Sequence, residues 1–353
     1  MTESKPPGST LYVPSAHDEF QMPDSPEAYK YIPLDPKYLH PSGACEFSIY
    51  VYHPGRNRFV MFKKEDASIQ KDQIDTLTKG GRQPIFVPHE YSYQLNEYLS
   101  ENLSEIVDDP NLPLEEKTEK FHTMATSVMK GLFENPPDNE TFVRTAKNVS
   151  DATSELIVHG PKAISQLNAL RSYDYYTYSH SMNVTVLSLG LYQELVPNAT
   201  MEQIKDLTRG VLLHDIGKRD VPTELTNKRG PLTESEWDVM RSHTTKGYER
   251  LDSDKDLSDD SRYVSLYHHE AVDGTGYPTK IKISEIPFTS RVCKVCDVYD
   301  ALTSRRSYKN GMKPFETLQI MQQEMKTKID QDILKQFIMF LQKMGKLNVR
   351  KAE

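Results

Sequence analysis

The stretch GVLLHDIGK, residues 210–218, sets His214 and Asp215 side by side at the end of an apolar helix. Imidazole and carboxylate are natural ligands for borderline divalent metals. Their partners have to come from elsewhere, so the fold must gather distant segments here. Five of the eleven histidines fall between residues 180 and 269. His180 lies in YDYYTYSHSMNVTVLSLGLYQEL, which reads as a long helix. His243 lies in MRSHTTKGYERL, and His268 and His269 in LYHHEAVDGTGYPTK. Asp297 lies in VCKVCDVYDALTS. A carboxylate has two oxygens, so Asp215 can bridge two metals while His214 binds one. Five His and two Asp are too many for one tetrahedral zinc. They suit two five- or six-coordinate ions, and two ions about 3.5–4 Å apart clamp both oxygens of a phosphoryl displacement. Taken singly, each of these residues reads as an ordinary core or surface group. As an ordered set they read as a site.

Bulk properties narrow the setting. The 353 residues suffice for one large domain and a smaller one. An apolar content of 37% and a charged content of 27% suit a folded protein. No apolar run approaches the length of a membrane span, and the first residues show no secretory apolar segment. The expectation is a cytoplasmic protein away from the membrane. Three cysteines make no disulfide framework. A net charge of −8 argues against DNA binding but leaves room for one phosphate-bearing ligand at a local cationic site.

Along the chain, residues 1–28 read as a disordered tail rich in Pro, Ser and charge. Residues 29–103 read as a small α+β regulatory module. It has a hairpin around HPGRN, a short helix stopped by Gly80 and Gly81, a strand PIFV and the helix EYSYQLNEYLSENL. His40, His53 and His89 are scattered there and form no constellation. Residues 104–158 read as a helical connector broken at NPPDN, which passes a signal or pairs protomers as a homodimer. From 159 to 353 the expectation is an all-helical domain, so the fold class is mainly α. Within it, Thr233 and Glu236 form a capping-box signature, Pro314 opens a helix, and DILKQFIMFLQKMG closes the pattern on an apolar stripe.

The segments YTYSHS, LLHDIGK, MRSH…G, YHHEAVDGTGYP and VCDVYDALTSRRSYK occur in the order found in the HD-GYP family, and the chain resembles that family over about residues 160–345. The family consists of HD-superfamily phosphohydrolases that cleave bacterial cyclic dinucleotides. The resemblance implies one metal held by His180, His214, Asp215 and Asp297, and a second held by Asp215, His243, His268 and His269. It implies iron, or manganese, as the metal. It also implies a metal-activated water as nucleophile and cyclic di-GMP as substrate, with pGpG and GMP as products. Lys218 would neutralise phosphoryl charge, and Arg306 and Lys309 would contact nucleotide phosphates. The family has Arg at the second of these two positions; Lys makes a point charge of a bidentate grip. Lys228 and Arg229 are weaker candidates of the same kind. The loop ending in Tyr277 and Pro278 borders the site in the family and has been tied to contacts with diguanylate cyclase (GGDEF) domains. Tyr277 would touch ligand or partner, or simply pack. Two other readings of the same residues are a catalytically weak receptor for cyclic di-GMP and a phosphodiesterase for mixed cyclic GMP–AMP.

The sequence departs from the family pattern in places. Asp174, Tyr175 and Tyr176 stand where relatives with a third metal carry a Glu, so two metals are expected. Cys293 and Cys296 form a lone C-x-x-C, a weak metal signal that reads better as two small buried residues. Thr244 follows His243 where the family has Pro. Ser307 replaces the Pro of its Arg-Pro-Tyr.

Overall fold

The computed structural model of the protein describes residues 22–349 apart from 41–44, 80–82, 135–136, 171–176, 227, 229, 253 and 306–310. Several expectations lie outside the described residues. They are the tail up to residue 21, the Gly80–Gly81 stop, the Asp174–Tyr176 stretch, Arg229, and the phosphate contacts Arg306 and Lys309 with Ser307 and Tyr308 between them. No described helix is long and apolar enough to cross a membrane.

The described chain divides into two compact units. Residues up to Leu112 join Glu119–Thr145 in the first; Pro113–Thr118 join the residues from Ala146 onward in the second. In the first unit β1 (Tyr31–Leu34), β2 (Ile49–His53), β3 (Arg58–Lys63) and β4 (Ile85–Pro88) form an antiparallel sheet in the order β1-β4-β2-β3. Alternation sends Ile32, Leu34, Ile49, Ile85 and Val87 into the core. The opposite face carries rings, with Tyr31 and Phe59 stacked at 4.2 Å and Phe59 edge-on to Phe86 at 4.9 Å. The hairpin turn after β2 places Asn57 at φ 45°, a left-handed conformation that Asn tolerates. The sequence reading did not include β1, whose YIPL segment carries Pro33. As an edge strand it tolerates a residue without an N–H. Three helices complete this region: α1 (Lys71–Lys79), α2 (Ser92–Glu101) and α3 (Leu103–Asp108).

Two longer helices follow, α4 (Leu114–Glu134) and α5 (Asn139–Val158). From there α6 (Pro161–Ala169), α7 (Thr177–Leu195), α8 (Met201–Leu212), α9 (Thr223–Thr226), α10 (Glu234–Arg241), α11 (His243–Leu251), α12 (Asp259–Tyr267), α13 (Phe288–Thr303), α14 (Pro314–Gln323) and α15 (Gln331–Val349) succeed one another with no strand among the described residues. Every residue of α7 from Ser179 to Tyr192 is buried. A helix buried on all sides sits at the centre of its unit. It packs against α6, α8, α13 and α15. The segment ESEWDVMRSHTTKGYERL that follows the Thr233 cap forms two helices, because the helical run is interrupted at Ser242 and His243 opens α11. Both reciprocal hydrogen bonds of the Thr233–Glu236 capping box form.

Close helix approaches lock the second unit. At Gly190 in α7 an added Cβ would lie 2.4 Å from Phe340 Cζ and 3.1 Å from Ile164 Cγ2. At Gly210 in α8 it would lie 2.6 Å from the Ser261 carbonyl oxygen of α12, and a backbone atom cannot swing aside. Gly210→Ala should cost about 1–3 kcal/mol through overpacking and lower the midpoint of thermal unfolding. An unchanged midpoint in calorimetry would show that α8 and α12 separate without penalty.

Candidate metal centre

The end of α8, the 3-10 turn Ile216–Asp220, and helices α7, α11, α12 and α13 carry the seven residues singled out in the sequence to one buried cluster. Asp215 is at its hub. Its Oδ2 faces His180 Nε2 at 3.8 Å and His214 Nε2 at 3.5 Å. Its Oδ1 faces His243 Nε2 at 3.4 Å and His268 Nε2 at 3.7 Å. Asp297 divides in the same way, with Oδ1 at 3.1 Å from His180 Nε2 and Oδ2 at 3.9 Å from His269 Nδ1. Two groups thus have donor atoms close enough to share a cation: Asp215 with His243, His268 and His269, and His180 with His214 and Asp215.

The far side of each ring shows which nitrogen carries the hydrogen. His214 Nδ1 donates to the Val211 carbonyl at 2.8 Å and His243 Nδ1 to that of Met240 at 2.6 Å. His268 Nδ1 donates to the carbonyls of Val264 and Ser265, both at 3.0 Å. A carbonyl can only accept, so the hydrogen is on Nδ1 and the Nε2 lone pair points inward. Burial pushes the pKa of His214, His268 and His269 down, and that of His243 to about 4, so these rings stay neutral. Burial works against ionisation of Asp215, but the Lys218 ammonium beside it holds its carboxyl well below the usual range. Burial likewise opposes the charge on Asp297, yet its carboxyl, 3.1 Å from His180 Nε2, is held well below the usual range.

The result is a set of lone pairs aimed at one another. His214 Nε2 and Asp215 Oδ1 are buried without a hydrogen-bond partner. Orphaned buried acceptors are rare and costly. Neutral imidazoles and carboxylates sharing a common point are the donor set of a divalent cation. The residues therefore fit a metal site.

Lys218 lies on the 3-10 turn, and its ammonium donates to Asp215 Oδ2. Tyr277 stacks on His269 at 4.7 Å, in a loop whose Tyr277–Pro278 peptide is cis. Lys228 donates to both carboxylate oxygens of Glu236 on α10, at 2.7 and 2.5 Å. Cys293 and Cys296 are buried, as read from the sequence.

Three carboxyl or amide groups escaped the sequence reading. Asp300, not singled out in the sequence, is fully buried. Its Oδ2 accepts from His180 Nδ1 at 2.7 Å and its Oδ1 from Asn183 at 3.1 Å, so Asp300 and Asn183 fix the ring of His180. The signal was present as paired i, i+3 spacings, His180/Asn183 and Asp297/Asp300, each one turn along a helix face. Glu270, also fully buried, accepts from the backbone N–H groups of Thr279 and Lys280 and from the Thr279 hydroxyl, which folds the loop back on itself. Asp273 caps the loop through Thr275, as expected for an Asx turn.

Two glycines bring the turn and α11 together. A Cβ on Gly217 would meet the His243 carbonyl oxygen at 1.9 Å, and one on Gly247 the Ser265 hydroxyl at 2.3 Å. The GK of HDIGK and the KGY of α11 are glycines because the backbones touch there.

The sequence pattern of the HD domain matches residues 153–333, slightly more than half of the chain, and the chain belongs to the HD-domain family. A cyclic di-GMP phosphodiesterase of Pseudomonas aeruginosa is 37% identical over 177 residues, which is 50% of this chain and 42% of that protein. A cyclic di-GMP phosphodiesterase of Thermotoga maritima is 37% identical over 152 residues, covering 42% of this chain and 40% of that one. A 3'3'-cGAMP-specific phosphodiesterase of Vibrio cholerae is 34% identical over 162 residues, 46% of this chain and 37% of that one. The chain thus spans about two-fifths of the length of these relatives. A solved HDG"Y"P protein from Bdellovibrio bacteriovorus shares the fold, with a TM-score of 0.60 over 88% of this chain and 99% of that one at 17% identity.

Replacing Asp300 by Asn should leave the fold intact while releasing His180 from its charged partner. Loss of such an outer contact weakens metal binding by roughly 10–100-fold. Titration of the apoprotein with Mn²⁺, followed by calorimetry, reads the change directly; equal affinity in variant and wild type would remove Asp300 from the site.

Proposed function

We propose that this chain is a metal-dependent phosphodiesterase that hydrolyses cyclic di-GMP to pGpG or GMP. The observation that carries the reading is the division of Asp215, one oxygen toward His180 and His214 and the other toward His243 and His268. A carboxylate shared in this way suits two cations side by side. The names of the Pseudomonas and Thermotoga relatives supply the substrate.

In this reading His180, His214, Asp215 and Asp297 hold one ion, and Asp215, His243, His268 and His269 the other. Bound there, divalent ions supply a nucleophilic water at neutral pH and offset phosphoryl charge. The N and O donor set agrees with iron or manganese. The protein's own residues do the rest. Asp300 and the four carbonyl acceptors take the outer N–H of His180, His214, His243 and His268 and leave the inner nitrogen of those four rings unprotonated. Lys218, one turn beyond Asp215, adds a cation on the side where phosphoryl charge accumulates. Tyr277, held against His269, walls the site and orients the substrate, and Arg306 and Lys309 contact its phosphates. Residues 29–103 serve as a regulatory module, and the Glu270–Lys280 loop is the surface for a cyclase domain.

A second substrate is favoured by one observation: a relative at 34% identity is named for 3'3'-cGAMP. One experiment separates the readings. The protein is purified without oxygen, Fe, Mn and Zn are quantified per chain, and both cyclic dinucleotides are followed by chromatography beside Asp215→Ala. The expectation is about two metals per chain and turnover of cyclic di-GMP that falls about a thousandfold or more in the variant. Turnover of 3'3'-cGAMP alone would reassign the substrate. Loaded protein that binds cyclic di-GMP and never cleaves it would make the chain a receptor.

A further inference from the structure

Tyr277 sits midway along a segment with no regular structure of its own. Residues 268–287 join α12 to α13 without a helix or strand. A connection of that length keeps one shape only where outside contacts fix it. Glu270 fixes the part after Tyr277, through Thr279 and Lys280. The part before Tyr277 is fixed by a residue far away in the chain. Lys328, between α14 and α15, donates from its ammonium to Asp273 Oδ2 at 3.0 Å and to the Thr275 hydroxyl. Its carbonyl accepts from the Val272 N–H at 3.3 Å. Val272, Asp273 and Thr275, all just ahead of Tyr277, are thus held by one lysine.

Lys328 is itself firmly placed. Its N–H donates to the Met325 carbonyl at 2.9 Å, and the next residue, Ile329, is fully buried. Asp330 accepts from Arg291 of α13 at 2.6 Å. It also accepts from the N–H groups of Asp332 and Ile333 at 3.1 and 3.2 Å, as an N-cap of α15 does. The post that holds the loop is therefore built into the helical core. Tyr277 has weaker holds of its own. Its ring lies 4.7 Å from that of His269, and its N–H reaches the His269 carbonyl at 3.5 Å. The fixed ends of the segment, more than these two contacts, set where the ring sits.

We infer that Lys328 is a positioning residue for the reaction: through Asp273 and Thr275 it holds the arm of the loop that carries Tyr277 to the metal centre. This rests on the phosphodiesterase reading above, in which Tyr277 orients the substrate. Charge and position predict different things here. If Lys328 simply attracted the anionic substrate, removing the charge of Asp273 would lower KM. If the two form a clamp, loss of either raises it.

The test uses the holoenzyme. Wild type, Lys328→Met, Lys328→Arg, Asp273→Asn and the double variant Lys328→Met with Asp273→Asn are assayed on cyclic di-GMP and 3'3'-cGAMP. Metal content per chain and hydrogen exchange of residues 271–277 are measured for each. Asp273→Asn keeps the oxygen that accepts from Thr275 and removes the charge. Loss of a half-exposed charge pair and a hydroxyl contact should raise KM roughly 3–10-fold in Lys328→Met, with less change in kcat. Metal content should stay the same, exchange of the loop should quicken, and Lys328→Arg should recover most of the loss. Asp273→Asn should also raise KM, and the double variant should be no worse than Lys328→Met, since both break one contact. Unchanged KM, unchanged exchange, loss of metal, additive losses in the double variant, or a lower KM in Asp273→Asn would each overturn the assignment. Wild type that cleaves neither cyclic dinucleotide would overturn the substrate reading and with it the role in turnover. That outcome shows in the wild type, and the exchange rates would still report whether Lys328 holds the loop.

Discussion

The second unit is organised around a carboxylate that the protein satisfies on one side only: Lys218 donates to Asp215 Oδ2, while Oδ1 is buried without a hydrogen-bond partner. Asp215 is buried, ionised and ringed by the inward nitrogens of four imidazoles at 3.4 to 3.8 Å. Neutral imidazole lone pairs do not stabilise a carboxylate; they repel it. The arrangement is held from outside. Carbonyls of Val211, Met240, Val264 and Ser265 and the Asp300 carboxylate grip the far nitrogens. The glycine contact between the 3-10 turn and α11 fixes the backbones. Core packing thus maintains a cluster that is electrostatically unfavourable on its own, which is the expected form of a preorganised cation site.

The loop after His269 is built with similar economy. Glu270 is the residue next to the His pair, so the backbone that presents His268 and His269 also carries the acid that folds the loop. Three donors from Thr279 and Lys280 converge on one oxygen of Glu270. Gly276 permits the return: a Cβ there would come within 2.2 Å of the Ala271 amide nitrogen. Tyr277 is thereby delivered onto the His269 ring. Asp273 and Lys328 then tie the outside of the loop to the segment before α15, where Val272 N–H also donates to the Lys328 carbonyl at 3.3 Å. The placement of Tyr277 thus follows from a buried carboxylate and a close backbone approach, and does not depend on its own packing.

Much of this was readable in the chain. The metal-type residues stood out as an ordered set of five His and two Asp, since each taken singly reads as an ordinary core or surface group. The mostly helical character followed from apolar periodicity, the caps at Thr233 and Pro314, and the sustained apolar run of α7. What was not readable depends on three-dimensional convergence. Asp300 looked like any helix acid until α13 was laid against α7. Glu270 looked like part of a motif, with no hint that its partners were nine and ten residues ahead. The i, i+3 pairs could have raised Asp300 and Asn183 as candidates, but helix faces are chosen by packing, and packing is absent from a single strand of letters. Strand β1 was not named at all: it is four residues long, carries Pro33, and its place at the sheet edge is set by pairing with the distant β4.

The lone C-x-x-C on α13 shows how geometry sorts residues that sequence leaves side by side. Cys293, Cys296, Asp297 and Asp300 fall within eight residues of one helix and are all buried. A thiol must lose its proton to bind a metal. Here burial pushes Cys296 up to about 12, and burial with the Asp297 charge raises Cys293 as well. Asp297 meets the opposite fate, its carboxyl held well below the usual range where it faces His180 and His269. One helix therefore presents an ionised oxygen donor and protonated, apolar-like sulfurs from adjacent positions, which leaves the centre with nitrogen and oxygen donors. Such a set, without thiolates, suits an ion that exchanges water and polarises phosphoryl oxygen better than one locked into a closed structural tetrahedron.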